Sequence, residues 1–478
     1  MLSPQWRALA PAASQALAAA IRNAVLDGKI QVGEQLPAER RLAARLGVSR
    51  GTVVAALARL RADGWLATRH GSGSTVQIPA SLRLRYAPLP VNRAEALLDL
   101  RLAVPAAPMD AYIAAAQRAL ARSPRLLLSD GEPGPGLPEL REQIAARLTG
   151  QGLATEPNQV LVTAGARAAM MLLVAQLRPR SAVVESPTFH GILSILRRPG
   201  RRLIPVTVTP GGWDASQLAT AFGHARGGIA MLVPDFHNPT GALMDPQTRT
   251  HIAALAAGTG VTVIANETMR DIDLREPPAP APRIRSAITV GSLSKSIWAG
   301  LRIGWIRAPA RLIRELLLNP LYPVCSAPPM EQLITCELLP QLDHLLRQRT
   351  RELRSQRDHL AAGLRQDSAW SFTTPPGSLW LWLHLAQTSG DALAAQAAAA
   401  GLAVLPGSTF SPDGTPGNYL RVPFTAPSGT STKPPASCGT PTACSVENPV
   451  VLEPQTGGVS GGTRRRRLAV CRGSRLRF

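Results

Sequence analysis

The sequence predicts an α/β protein in two parts. A short helix–turn–helix module with a β-wing comes first, and a large domain with a mostly parallel sheet covered by helices follows. Three observations predict this. Near the N-terminus, two short amphipathic stretches are split by a glycine turn and followed by two β-branched runs. Beyond residue 96, β-branched runs alternate with helical stretches. Finally, 45% of residues are hydrophobic and only 4% aromatic, a balance that favours a large, alanine-rich helical and sheet core. A length of 478 residues allows two or three domains.

Composition excludes several classes. No run of about 20 apolar residues would span a membrane. The opening "MLSPQWRALAPAAS" lacks the basic and apolar regions of a secretory signal. The five cysteines form no CxxC pair and the eight histidines are scattered, so the expectation is a reducing cytoplasm and no metal site. Net charge is +21, which suggests a polyanionic partner, although a basic face is more often mere solvation.

In the first part, Ala12 to Asp27 reads as an amphipathic helix stopped at Gly28. The next stretch is "LPAERRLAARLGVSRGTVVAALARLRADGWLATRHGSGSTVQI". Pro37 and Glu39 suit a helix start, Leu42 and Leu46 give it an apolar face, and Gly47 ends it. Ser49 is a good N-cap for a second helix, in which Val53, Val54, Leu57 and Leu60 are expected to face inward; Gly64 closes it. "WLAT" and "STVQI" then make the wing. The second helix of such a module enters a major groove N-terminus first, which puts Arg50 at the bases. Arg40 and Arg41 open the preceding helix, where phosphate is favoured, and Arg69 and His70 ride the wing. A protein-binding winged helix is the plainer alternative. The stretch resembles the winged-helix domain of GntR-type bacterial regulators. That resemblance implies dimeric binding to a double-stranded DNA operator, with contacts from Arg40, Ser49, Arg50, Thr52, His70 and Gly71.

The expected boundaries are 1–78 for this module, 79–95 for a linker, 96–425 for the large domain and 426–478 for a tail. In the large domain the β-branched runs are "QVLVTAG", "SAVVESP", "GIAMLVPDF", "VTVIANE", "AITVGSLS" and "RIGWIRA". Such sheets bind ligands beyond the carboxyl ends of their strands. At those ends stand Gly165, Ala166 and Arg167 opening a helix, Phe189 in "ESPTFHG", Asn238 in "HNPTG", and Ser292, Ser294 and Lys295 in "GSLSK", with Arg302 seven residues on. Lys295 is conspicuous. The chain has only three lysines, and between Val76 and Phe424 every other cation is arginine. An arginine keeps its proton, whereas a desolvated lysine can shed it and add to an aldehyde. A phosphate cradle, hydroxyls, a flat aromatic, an amide and one amine suggest pyridoxal 5′-phosphate (PLP).

Across about residues 96–425 the chain resembles fold-type-I aminotransferases, with a large domain and an α+β small domain. Joined to a GntR-type module, it is similar to the MocR subfamily of regulators. The resemblance implies that Lys295 forms the Schiff base and that Gly165, Ala166, Ser292, Ser294 and Arg302 hold the phosphate. It further implies that Phe189 stacks on the ring, Asn238 contacts the phenolate oxygen, and Arg421 in "YLRVPF" takes a ligand carboxylate. A surface ion pair is the plainer reading of Arg421.

The pattern breaks in two places. Where the family has an aspartate that keeps the ring nitrogen protonated, and a tyrosine three residues on, this chain has Asn266 and Met269. Glu267 cannot replace the aspartate, because adjacent strand residues point to opposite faces. Past Pro427 the helical period vanishes and "RRRR" appears. The tail reads as disordered: a frameshift, a basic tail with non-specific DNA affinity, or a decayed gene product. The expected function is a cytoplasmic, homodimeric transcriptional regulator that senses an amino acid, an amine or PLP itself. A true aminotransferase with a DNA-binding appendage is the rival.

Overall fold

The structure, a computed structural model, describes residues 14–26, 29–31, 34–69, 73–77, 98–131, 134–399, 401–411 and 417–425. Its contacts divide the chain into two compact units, Met1–Ala96 and Leu97–Phe478. His70, Gly71, the side chain of Arg69, the 79–95 linker and the 426–478 tail lie outside the described residues.

The first unit has helices Ser14–Leu26, Glu39–Leu46 and Arg50–Ala62, and an antiparallel pair, Leu66–Arg69 with Gly73–Val76. Gly47 caps the middle helix at φ 68, a left-handed conformation that suits glycine. Leu17, Ile21, Leu42, Leu46, Val53, Leu57, Leu60 and Trp65 form one core. One expectation fails: Val54 is 38% exposed, and Ala56 takes the buried place. Positions 53, 56, 57 and 60 follow the helical repeat, and 54 lies about 100° away from 53.

The second unit contains an eight-stranded sheet. Its order is Val160–Thr163, Gly304–Arg307, Ile288–Ser292, Thr262–Asn266, Ile229–Leu232, Ser181–Ser186, Arg202–Thr209, Gly212–Trp213. It is mostly parallel, as predicted; Gly304–Arg307 runs against both neighbours and Gly212–Trp213 against its one. The six predicted strands are present. Arg202–Thr209 was not expected, because Pro205 interrupts a half-exposed run, which fits a strand near the sheet's edge.

A four-stranded sheet orders Trp370–Ser371, Trp380–Leu385, Tyr419–Pro423 and Leu405–Pro406. Leu98–Asp99 pairs in parallel with Leu402–Ala403. The chain between Leu98 and the helix Met109–Arg122 therefore starts on the small-domain side. Leu100, Ala103, Phe236, Met269 and Trp380 share one buried apolar cluster, which ties this segment to both sheets.

Candidate cofactor and DNA-binding sites

Strand register brings the phosphate candidates together. Ser292 lies opposite Gly304, and Gly304 lies opposite Thr163 on the next strand. Just past Thr163, Gly165 adopts φ 84 and caps the helix Ala166–Leu177. A Cβ on Gly304 would meet the Gly165 carbonyl carbon at 2.6 Å and the Ala166 nitrogen at 2.8 Å. Only glycine permits this approach of strand to helix start. A Cβ on Gly165 would lie 4.0 Å from Ser294 Oγ. The Ser292 and Ser294 hydroxyls are 2.8 Å apart, and Ser294 N donates to Ser292 Oγ. Two hydroxyls and the free N–H groups of a helix start converge; the N–H groups are donors for a phosphate, and the hydroxyls join them by turning from their present partners, the Ile303 carbonyl and each other. Arg302 is exposed at φ 55. It makes no ion pair among the described residues, and the next carbonyl, Ile303 O, accepts from Ser292 Oγ at 3.0 Å. Arg167 is exposed on the same helix start and donates to Ser194 Oγ, so its side chain is engaged beside the cradle.

Lys295 follows on a turn. Its Nζ donates to the Ala103 carbonyl at 2.7 Å. Desolvation, helped by the charge of Arg421, lowers its pKa to about 7, which makes a neutral, nucleophilic amine accessible near neutral pH. Arg421 is buried, and desolvation pulls its pKa down to about 9. Its Nη1 donates to Asn238 Oδ1 at 3.3 Å and its Nη2 to the Arg101 carbonyl at 2.6 Å, while Nε has no partner. Aromatic faces complete its shell, Trp380 at 5.2 Å and Phe410 at 4.9 Å from the guanidinium carbon. Arg421 is thus a buried cation held by carbonyls and rings, with no carboxylate partner among the described residues. A surface ion pair is excluded, and a planar anion would be favoured there.

Phe189 precedes the helix His190–Leu196, and Gly191 leaves room for its ring to fold back. His190 contacts Phe189 and Phe410, so a run of rings leads from Phe189 to Arg421. Behind Asn238 the turn is braced from within. His237 Nδ1 lies 2.9 Å from Thr240 Oγ1, and buried Glu185 accepts from Trp213 Nε1 and Val233 N.

Asn266 ends its strand. Its Oδ1 accepts from Thr268 N and Thr268 Oγ1, which leaves the amide N–H group as the available donor. That group can bond an unprotonated ring nitrogen but brings no charge. Glu267 pairs with Arg283 through Nε at 2.8 Å on the other side of the strand, so it offers no substitute. Burial pushes its carboxyl pKa up, against the pull of Arg283. Met269 is buried in the apolar cluster with Leu100 and Phe236, and supplies no hydroxyl.

In the first unit, Ser49 accepts from Thr52 N at 3.1 Å and lies 2.8 Å from Thr52 Oγ1, which fixes the helix start. Arg40, Arg41 and Arg50 are exposed. Arg50 reaches only to 4.0 Å from Glu39 and its side chain is 59% exposed, so it is free to reach a partner. Val54, one turn beyond Arg50, shares its face.

Sequence reasoning missed the Arg101 and Ala103 carbonyls, Trp380 and Phe410. Backbone carbonyls carry no residue signature; the two rings could have been found from the aromatic residues near Arg421.

Residues 101–432, more than half of the chain, match the family Aminotransferase class I and II, and residues 13–76 match Bacterial regulatory proteins, gntR family. The chain is 31% identical over 313 residues to the HTH-type pyridoxine biosynthesis transcriptional regulator PdxR of Corynebacterium glutamicum, covering 62% of this chain and 66% of that one. It is 26% identical over 400 residues to the uncharacterized HTH-type transcriptional regulator YisV of Bacillus subtilis, covering 76% and 82%. The fold matches LysN, an α-aminoadipate aminotransferase from Thermus thermophilus, with a TM-score of 0.63 at 23% identity over 69% of this chain and 87% of that one. The chain therefore belongs to the class I and II aminotransferases and, with a GntR-type winged helix ahead of that domain, has the architecture of the MocR-type regulators.

Proposed function

We propose that this protein is a PLP-binding transcriptional regulator, in which the first unit reads an operator and the second responds to an amino acid or amine. The observation that carries the reading is Lys295: a lone amine, its pKa lowered to about 7, immediately after Ser294 of the anion cradle. When bound, PLP supplies an aldehyde for this amine and a ring able to draw charge from an attached ligand. Ser292, Ser294, Arg302 and the Ala166 helix start would hold its phosphate. Phe189 would cover the ring, Asn238 its phenolate oxygen, and Asn266 would donate to its nitrogen. Arg421 would orient a ligand carboxylate.

The family likeness also admits an enzyme, a reading that the paired Lys295 and Arg421 favour. Asn266 weighs against it, because an amide cannot stabilise a protonated ring nitrogen as a carboxylate does. Dimerisation fits the surface of the second unit. Met109, Ile113 and Leu120 are exposed along one face of a helix, and elsewhere in the unit Leu318, Leu321 and Val324 are exposed close to one another in sequence. Apolar residues grouped in this way suit a second copy of the chain. Among the described residues no helix is long and apolar enough to cross a membrane. We place the protein in the bacterial cytoplasm, on DNA. The test is borohydride reduction of the PLP-loaded protein followed by peptide mapping. The pyridoxyl label is expected on the "SLSK" peptide, and its absence there would defeat the reading.

A further inference from the structure

The segment Leu100–Ala106 crosses the candidate site as a strap, and three of its carbonyls accept from cations of the second unit. Arg421 Nη2 donates to Arg101 O at 2.6 Å, Lys295 Nζ to Ala103 O at 2.7 Å, and Arg349 Nη2 to Ala106 O at 2.7 Å. The strap is stiffened from within. Arg101 Nε and Nη2 both donate to Asp99, at 2.8 and 2.7 Å, and the Arg101 N–H donates to Asp99 Oδ1 at 2.9 Å. Leu100 N donates to Ala403 O, which fixes the start of the strap to the small domain. Leu100 and Ala103 are buried, while Leu102 between them is 65% exposed.

The contact at Arg421 is the one a ligand would contest. A carboxylate binds a guanidinium bidentately, end-on through Nη1 and Nη2 or side-on through Nε and Nη2. Each edge uses one of the two N–H bonds of Nη2, and one of these holds the Arg101 carbonyl, so a carboxylate arriving on that edge displaces it. A charged acceptor forms a bond roughly twice as strong as a neutral carbonyl does. A buried cation without a counter-ion gains further from an arriving anion. An amine without a carboxylate brings nothing to Arg421.

We propose that the Asp99–Arg101 strap is a carboxylate-sensing latch: a ligand carboxylate takes Arg421 Nη2 from the Arg101 carbonyl and loosens the strap, whereas a simple amine leaves it held. This rests on the reading of Lys295 and Arg421 given above. Asp99 and Arg101 act as positioning residues for Arg421. The latch makes the site answer to amino acids differently from amines of the same side chain. It also gives that answer a covalent route, because the strap follows directly, in sequence, the segment that joins the two units.

The experiment uses the full-length, PLP-loaded protein and a panel of amino acids, each beside its decarboxylated amine, such as leucine beside 3-methylbutylamine. Visible absorbance reports that a ligand has reached the cofactor. Hydrogen exchange followed by mass spectrometry reports the Leu100 and Arg101 amides, both hydrogen-bonded in this structure. The expected result is exchange about tenfold faster across the strap with the amino acid and unchanged exchange with the amine, as local opening becomes easier. Asp99→Asn should raise ligand-free exchange towards the amino-acid level. Equal strap exchange with both members of a pair that both shift the absorbance would overturn the latch. No absorbance shift with any pair would overturn the site reading, and the latch with it.

Discussion

Lys295 and Arg421 are cations 126 positions apart in sequence that are held by carbonyls two residues apart, those of Ala103 and Arg101. Neither cation has a carboxylate partner among the described residues, so each keeps a capacity for an arriving ligand. The charge of Arg421 also lowers the pKa of Lys295, second to desolvation.

This coupling predicts a pH dependence. PLP addition needs the neutral amine, so its rate should rise with pH and level off above about 7, rather than climbing towards the ordinary lysine value of about 10.4. Arg421→Leu removes a repelling charge, raises the Lys295 pKa and should slow addition at pH 7 about twofold to fivefold. Stopped-flow absorbance across pH measures both. The stability sign follows. With its pKa lowered, folded Lys295 holds fewer protons than the unfolded residue between about pH 7 and 10, so this group adds stability as pH rises through that window. The penalty for burying the ammonium is fully present below pH 7. An addition rate still climbing steeply at pH 9 would contradict the lowered pKa.

Lys295 was legible because it is the only lysine in an arginine-rich stretch, and Gly165, Ser292 and Ser294 because each stands at a predicted strand end. Asn266 was legible as a departure from a pattern. The Asn238–Arg421 contact was not, since it joins residues 183 apart through the packing of two sheets. Met269 shows a second limit. The sequence reveals a missing hydroxyl, whereas only the fold reveals that the side chain fills an apolar cluster. The Arg50 face was legible from the capping residue Ser49, yet Val54 was misplaced because an apolar residue was read as a buried one.

A second prediction concerns Gly304. In Gly304→Ala the new Cβ would meet backbone atoms of Gly165 and Ala166, which cannot move aside as a flexible side chain would. The helix start should shift away from Ser292 and Ser294. PLP affinity should fall about tenfold or more, at a stability cost of about 1–3 kcal/mol. Equilibrium dialysis with PLP and thermal unfolding separate the two effects. Unchanged PLP affinity would show that this approach does not build the cradle.

A third prediction separates reading DNA from holding the fold. Arg50→Ala should weaken binding to a cognate operator by about 1–3 kcal/mol if Arg50 reaches a base edge, with unfolding of the first unit unchanged, since Arg50 lies only 4.0 Å from one acid. Ser49→Ala should, unlike Arg50→Ala, lower stability as well. It removes the cap on Thr52 N and should cost about 1 kcal/mol of stability. Binding of both variants should weaken steeply with salt, because phosphate neutralisation drives it. Equal loss on operator and scrambled duplex for Arg50→Ala would reduce that residue to a phosphate contact.

The last prediction concerns the ring nitrogen. Aminotransfer removes a proton from the α-carbon of the bound amino acid, and a protonated ring accepts the resulting charge far better than a neutral one. A carboxylate would favour the protonated form by opposite charge; Asn266 offers a dipole whose oxygen is already bonded to Thr268. Wild type should therefore bind amino acids and turn over very slowly. Asn266→Asp keeps the shape, brings the charge and should raise the half-reaction rate about tenfold or more. Met269→Tyr should not rescue activity in the same way. Its ring would enter the cluster occupied by Leu100 and Phe236, and overpacking there should cost about 1–3 kcal/mol of stability. Stopped-flow absorbance of wild type and both variants with a panel of amino acids gives the rates. If wild type already transaminates at about 1 per second or faster, an ordinary enzyme rate, the regulator's second unit is a working aminotransferase and Asn266 does not hold back the reaction.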